Sequence, residues 1–195
     1  MEKNMEKRQM SDFVSFVAGV NPTRAKRQYG SNIFHYYDQE AFEKDYSFEA
    51  DLVSKKTVDD VSDKLSLRQG DVIISNSLQK AAIVSASNEG KVPTLNFIKV
   101  EFKGDKLDKL YFLYLFNSYS EVQRQKERDL QGASILRLSV KLLNQLMIPV
   151  VDLEEQIKIG EAYSETLRLK TYLKRYAVLT ETIVSQVIEE SIKER

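Results

Sequence analysis

The chain is 195 residues long, with 29 basic and 29 acidic side chains, 42% hydrophobic residues and no cysteine. That length carries one domain with a core of its own plus an appendage. The missing cysteines exclude a disulfide framework, a thiol nucleophile and a cysteine-ligated zinc site. No apolar run approaches the roughly 18–20 residues a membrane span needs, and the N-terminal stretch lacks the apolar core of a signal peptide, so a cytoplasmic location is expected. Residues 152–195 hold 9 acidic and 7 basic side chains, against 20 and 22 in residues 1–151. This balance is far from the strongly basic surface of a stand-alone nucleic-acid binder. Any contact with DNA must come from a local patch or be shared with a partner.

In chain order, residues 1–18 read as a short amphipathic helix with Phe13, Phe16 and Val17 on one side, broken by Asn21-Pro22. Residues 24–51 alternate polar and aromatic side chains without a clean period and read as loop with short elements. Gly70-Asp71 is a turn, followed by the short buried strand Val72–Ser75 and a second strand over Ala81–Ser85. After the turn Glu89-Gly90, residues Phe97–Phe102 alternate apolar and polar as a half-buried strand does. Leu107–Tyr119 is apolar nearly all round, which suits a helix inside the core. Residues 121–131 continue as a helix or a solvated loop. Leu142, Leu143, Leu146 and Ile148 supply apolar contacts, and Pro149 stops regular structure.

Asp152, with Glu155 three residues on, has the pattern of a helix N-cap close to a capping box. Beyond it there is no proline and one glycine, Gly160. Leu153, Ile157, Tyr163, Leu167, Leu173, Tyr176, Leu179, Ile183 and Val187 recur at steps of three, four or six. Roughly 40 residues at 1.5 Å each span about 60 Å, several times what a small domain needs to cover it. Such a stripe calls for a partner helix; the alternative is a hairpin folding back on its own domain.

Three segments carry a family resemblance. Leu67-Arg68-Gln69-Gly70-Asp71-Val72-Ile73-Ile74-Ser75, followed by Lys80-Ala81-Ala82-Ile83-Val84, resembles a pair of strands in the specificity (S) subunits of type I restriction–modification systems. Tyr111-Phe112-Leu113-Tyr114-Leu115-Phe116-Asn117-Ser118 is similar to the family's aromatic helix. The order Gly132, Leu143-x-x-Leu146-x-Ile148-Pro149, Leu153-Glu154-Glu155-Gln156-x-x-Ile159 resembles the close of a target recognition domain. The loop Asn76-Ser77-Leu78-Gln79-Lys80 departs from the family's by having neither arginine nor glycine. Full-length S subunits carry two such domains in tandem, whereas this chain has one and no internal repeat, so it resembles a half-subunit or a fragment.

The resemblance implies an α+β fold: one target-recognition domain with a small mixed sheet and helices (residues 1–150), followed by a long C-terminal dimerisation helix (151–195). It implies double-stranded DNA, a methyltransferase (modification) subunit, a restriction subunit and a second copy of the chain as partners. S-adenosylmethionine and ATP would come with those subunits, and this chain would hold no cofactor. Pairing would run through Leu167, Leu173, Tyr176, Leu179, Ile183 and Val187. Two copies would then read a bipartite site with inverted, identical halves.

Candidate DNA contacts fall in three sets: Arg24, Lys26 and Arg27 beside Gln28 and Tyr29; the loop residues Asn76, Ser77, Gln79 and Lys80; and Arg124, Lys126, Arg128 and Gln131 with Gln123 and Gln125. Arginine and lysine grip phosphate or guanine, and asparagine or glutamine pairs with adenine; a solvated charged surface is the alternative for each. A nuclease is a third class: Asp71 with Glu101-Phe102-Lys103 imitates carboxylates that hold a divalent metal beside a lysine, though each piece is also a common turn or strand pattern. The lone histidine, His35, offers no zinc pair. Asn21-Pro22-Thr23 lacks the second proline and aromatic of an amino-methyltransferase motif, and no phosphate loop exists. The second class, ahead of the nuclease, is an orphan half-subunit that modulates other S or methyltransferase subunits without reading DNA.

Overall fold

The computed structural model describes residues 6–29, 35–48, 65–130 and 137–193. Along the chain these form β1 (Lys7–Gln9), β2 (Val14–Ala18), α1 (Pro22–Tyr29), β3 (Tyr36–Tyr37), α2 (Gln39–Tyr46), β4 (Val72–Ser75), β5 (Lys80–Ile83), β6 (Val92–Pro93), β7 (Phe97–Phe102), α3 (Lys109–Asn117), α4 (Ser120–Leu130), α5 (Val140–Gln145), β8 (Met147–Pro149) and α6 (Leu153–Lys193). The central sheet is antiparallel in the order β2-β7-β4-β5, flanked by the antiparallel pair β1-β8 and the parallel pair β3-β6. The fold is α+β with a long C-terminal helix, as the sequence implies.

The run Val72-Ile73-Ile74-Ser75 is buried at every position, because the sheet is covered on both faces. Side chains alternate across a strand. Val72 and Ile74 therefore join Phe13, Val14, Ile98, Val100, Phe112 and Phe116 in one core, while Ile73 joins Tyr37, Phe42, Ala82 and Phe97 in another. A strand with two covered faces reads as a continuous apolar run rather than an alternating one.

The amphipathic helix expected over residues 1–18 is replaced by strand, turn and strand. Val14 and Phe16 are buried, Ser15 is half-buried and Val17 is exposed, which is period two rather than 3.6. Pairing of Val14–Ala18 with Ile98–Phe102 settles the matter, since strand formation depends on what lies across the ladder. Asn21-Pro22 does not break a helix but opens one. Asn21 Oδ1 accepts from the amides of Thr23 (3.0 Å) and Arg24 (3.3 Å), and Pro22 takes the first helical position, where no amide is needed. The segment after Arg24, expected as loop with short elements, supplies α1, β3 and α2 where it is described.

The other helix starts follow their caps. Asp38, Asp108, Ser139 and Asp152 each accept the amide three residues on, at 2.9 to 3.1 Å. Pro149 ends β8, which pairs with β1 at Lys7.

The first part of α6 lies along α3. Gln156, Gly160, Ser164, Leu167 and Thr171 recur every three or four residues and face the domain. Gln156 accepts from the Asp108 amide at 2.9 Å and donates to the Val151 and Lys106 carbonyls at 2.9 and 3.2 Å. Tyr163 meets Tyr114 edge-on with ring centroids 5.8 Å apart. Thr171 donates to the Ser47 carbonyl at 2.6 Å, tying α6 to the end of α2. Leu167 is only 9% exposed, so this one of the expected dimerisation residues belongs to the domain's own packing. Its place three residues after Ser164 and seven after Gly160 puts it on the covered side.

From Tyr172 to Lys193 every residue is exposed, about 33 Å of helix at 1.5 Å per residue. Leu173, Tyr176, Leu179, Ile183 and Val187 lie on this stretch, each more than half exposed.

A methyl group added at Gly160 would lie 2.6 Å from Leu110 Cβ and 2.6 Å from the Tyr111 amide nitrogen. Gly160→Ala gains about 1 kcal/mol of helix propensity but forces two helices apart, an overpacking cost of about 1–3 kcal/mol. The expected net result is a Tm lowered by a few degrees in thermal unfolding. A Tm equal to or above wild type would mean that α3 and α6 do not approach this closely.

Candidate nucleic-acid interface

The register of the central sheet gathers several connections at one end. Ser75 lies opposite Phe97, and Ala18 opposite Ile98. The exits of β2 and β4 and the entries of β5 and β7 therefore share that end. It carries α1, the loop 76–79 and the link 94–96. The start of α2 joins them through Ser77 Oγ, 3.4 Å from Gln39 Oε1.

The two loops are stapled by Asn76, which is 7% exposed. Its amide donates to the Asn96 carbonyl at 2.8 Å, and its Nδ2 to the Leu95 carbonyl at 3.3 Å. Its Oδ1 is buried without a hydrogen-bond partner among the described residues. Gln79 adopts φ 53, a left-handed turn, and its amide closes on the Ser75 carbonyl at 2.9 Å. Ser77 and Leu78 stand exposed at the tip, as do Leu95 and Asn96 beside them.

Of the sequence candidates, Arg24 and Arg27 are exposed on α1 at this end, and the side chain of Lys26 lies outside the described part. Asn76 serves as a staple, Ser77 is presented outward, and Gln79 and Lys80 are half-buried. Lys80 Nζ donates to the Asn117 carbonyl at 2.6 Å, and burial pushes its pKa down. On α4, Arg124 and Arg128 are exposed. Gln131 lies outside the described residues.

Lys126 departs from the expectation of a DNA contact. It is 2% exposed, because a residue two positions from Arg124 and Arg128 points to the opposite side of a 3.6-residue helix. Its ammonium donates to the Phe116 carbonyl at 2.8 Å and the Gln79 carbonyl at 3.1 Å, and lies 4.3 Å from the Phe116 ring centroid. Lys80 and Lys126 thus satisfy the last carbonyls of α3, where the helix dipole favours positive charge. Burial first, and the neighbouring Lys80 second, push the Lys126 pKa down to about 7. The amine supports the loop 76–79 from below instead of reaching outward.

The nuclease pattern does not assemble. Asp71 is ion-paired with Lys99 at 2.6 Å and accepts the Arg68 amide at 2.8 Å. Glu101 takes the Ser15 hydroxyl at 3.5 Å, and Lys103 donates to the Ser11 carbonyl at 2.8 Å. Among the described residues no three histidine, cysteine or acidic side chains are grouped to hold a metal. His35 is exposed, and its carbonyl accepts the Val92 amide at 2.8 Å.

Sequence reasoning missed Gln39, Leu95, Asn96 and Arg137. Arg137 Nη2 lies 3.4 Å from Asn96 Oδ1, which places it at the same end. These residues come from three segments far apart in the chain, and no spacing rule links them.

This end of the sheet gathers arginine, amide and hydroxyl side chains, and an apolar helix face is left open elsewhere on α6. The family model for the type I restriction modification DNA specificity domain matches residues 2–180, and the chain belongs to that family. No helix among the described residues is long and apolar enough to cross a membrane. No curated protein matches the chain in sequence.

Three solved structures share the fold. The HsdS subunit from Thermoanaerobacter tengcongensis superposes with a TM-score of 0.56 at 17% identity, over 91% of this chain and 40% of that one. A chain from a structure of the type I R-M system, described for its complex assembly and conformational transition, gives 0.63 at 18% identity, over 96% and 44%. The type I restriction-modification S subunit from M. genitalium gives 0.56 at 14% identity, over 95% and 45%. The chain therefore spans less than half the length of these proteins.

The depressed Lys126 pKa has a signed consequence. The unfolded chain binds more protons than the folded one between about pH 7 and the ordinary lysine value of 10.5. This group therefore makes stability rise with pH across that window. Lys80, shifted the same way, adds to the rise. Lys126→Met is expected to flatten the slope in urea unfolding between pH 7 and 9.5. An unchanged slope would show that the amine is not held neutral inside the fold.

Proposed function

We propose that this chain reads a specific sequence in double-stranded DNA for a type I restriction–modification complex, working as a homodimer. Residues 1–150 form the recognition domain and residues 151–195 the pairing helix, whose first five turns anchor it to that domain. The sheet end bearing Arg24, Arg27, Ser77 and the loop 76–79 meets the duplex, with Lys26, Gln79, Arg124, Arg128 and Gln131 as further contacts. The free stretch of α6 pairs with a second copy through Leu173, Tyr176, Leu179, Ile183 and Val187. The two-fold assembly directs a methyltransferase subunit and a restriction subunit to a bipartite site with two inverted, identical halves.

The observation that carries this reading is the family match across residues 2–180, which takes in both the sheet end and the free helix as far as Thr180. The balanced charge fits an affinity for DNA shared with the methyltransferase, since each phosphate contact contributes a salt-dependent increment.

The test is a map of modified adenines in a host without such systems, expressing this chain with its methyltransferase. A palindromic bipartite motif that vanishes without the chain is the expected result. A soluble complex that leaves the genome unmodified would favour a half-subunit that modulates its partners instead. Leu179→Asp and Tyr176→Asp each place two charges in a paired stripe. Loss of roughly 2 kcal/mol of apolar burial per copy, about 4 kcal/mol per dimer, weakens the dimer on the order of a thousandfold. Sedimentation should show monomers, with methylation lost in parallel. Monomers that still methylate the same palindrome would refute pairing through α6.

A further inference from the structure

Within the reading of this chain as a DNA recognition module, Asn96 and Arg137 form a unit of their own. The link that carries Asn96 is closed on itself and on its neighbour. The Phe97 amide donates to the Thr94 carbonyl at 2.9 Å, and Asn76 holds the carbonyls of Leu95 and Asn96 from the adjoining loop. Asn96 is thereby fixed in backbone while its side chain stands exposed. Its Oδ1 accepts one N–H of the exposed Arg137 guanidinium at 3.4 Å.

An arginine engaged in structure commonly meets a carboxylate. Among the described residues Arg137 has no such ion pair, and its one hydrogen bond goes to a neutral amide. A guanidinium has five N–H donors, so among the described residues most of the fork is unengaged, while its bond to Asn96 holds it beside the link 94–96. Paired acceptors in one plane suit that fork, and the O6 and N7 edge of guanine is such a pair in the major groove. Leu95, 47% exposed, precedes Asn96 on this link, and Leu78, 41% exposed, is on the loop beside it. Such apolar surface matches thymine methyls and sugar edges rather than phosphates. Arg24 and Arg27, exposed at the same end of the sheet, are placed to hold the backbone.

We propose that Arg137, steered by Asn96, reads a guanine in the major groove of each half-site, with Leu95 packing on the adjoining nucleotide. Asn96 is a positioning residue, and Arg137 touches the base.

The experiment maps methylated motifs for wild type, Arg137→Lys, Arg137→Ala and Asn96→Ala, alongside binding of each to specific and random duplexes at several salt concentrations. Lysine keeps the charge but loses the fork. Arg137→Lys should relax one guanine position in each half by roughly 10- to 100-fold in discrimination, while binding to random duplex stays within about twofold. Asn96→Ala should relax the same position more weakly and leave its neighbours unchanged. If Arg137→Lys keeps the full motif while Arg137→Ala weakens every site equally and lowers the salt slope, the residue grips phosphate and the proposal fails. An unaltered motif in all three variants also overturns it. A wild-type chain that specifies no motif would remove the underlying reading as well, and that outcome is visible before any variant is compared.

Discussion

The seating of α6 on α3 is the constraint on which the rest of the molecule depends. At Gly160 the two helices approach so closely that a Cβ would lie 2.6 Å from backbone. Gln156 fixes the depth by bonding the Asp108 amide and the Lys106 carbonyl just before α3, and the Val151 carbonyl just before α6. Thr171 then fastens the helix to the end of α2 through the Ser47 carbonyl. Since α2 starts at Gln39, which meets Ser77 in the loop 76–79, one short helix connects the long helix to the candidate reading surface. A helix joined to its domain by packing and hydrogen bonds at several turns transmits its direction to that surface, as a flexible linker would not.

Side-chain amides do much of the remaining positioning. Asn117 accepts from the Ala81 amide at 2.7 Å and donates to the Ala81 carbonyl at 2.9 Å, taking the place of a fifth strand beside β5. Gln125 does the same for Met147, at 2.8 and 2.9 Å. An edge strand left with bare backbone groups is open to pairing with other chains. Here single amides close it and hold α3 and α4 against the strands at the same time. The buried Asp45 plays a related part, accepting from Tyr37 at 2.7 Å and Asn88 at 2.8 Å, though burial pushes its pKa up. A buried polar group is tolerable when its partners are supplied, and these groups fix one arrangement of loop against helix.

Elements whose signals are local were legible in the sequence. The strands at Val72–Ser75 and Phe97–Phe102, the core helix beginning near Lys109, and the start of α6 at Asp152 all rest on short-range patterns: an apolar run, strict alternation, or an N-cap. Residues 7–18 were not legible, because Phe13, Phe16 and Val17 fit a helical face as well as they fit a strand. Only the neighbouring β7 separates the two. Asn21-Pro22 was ambiguous in the same way, since the pair ends one helix and begins another with equal ease.

What the chain determined by itself was the kind of protein: an α+β domain of the specificity family, followed by a helix too long for that domain to cover. Those properties follow from periodicity, capping and motif order, all of which are written along the chain. Which side chains face outward was decided by tertiary structure. The burial of Lys126 beneath the loop, the loss of Leu167 from the free stripe, and the meeting of Asn96 with Arg137 each depend on contacts between residues distant in sequence. A linear pattern specifies the face of an element, whereas the identity of what covers that face is fixed only when the elements pack.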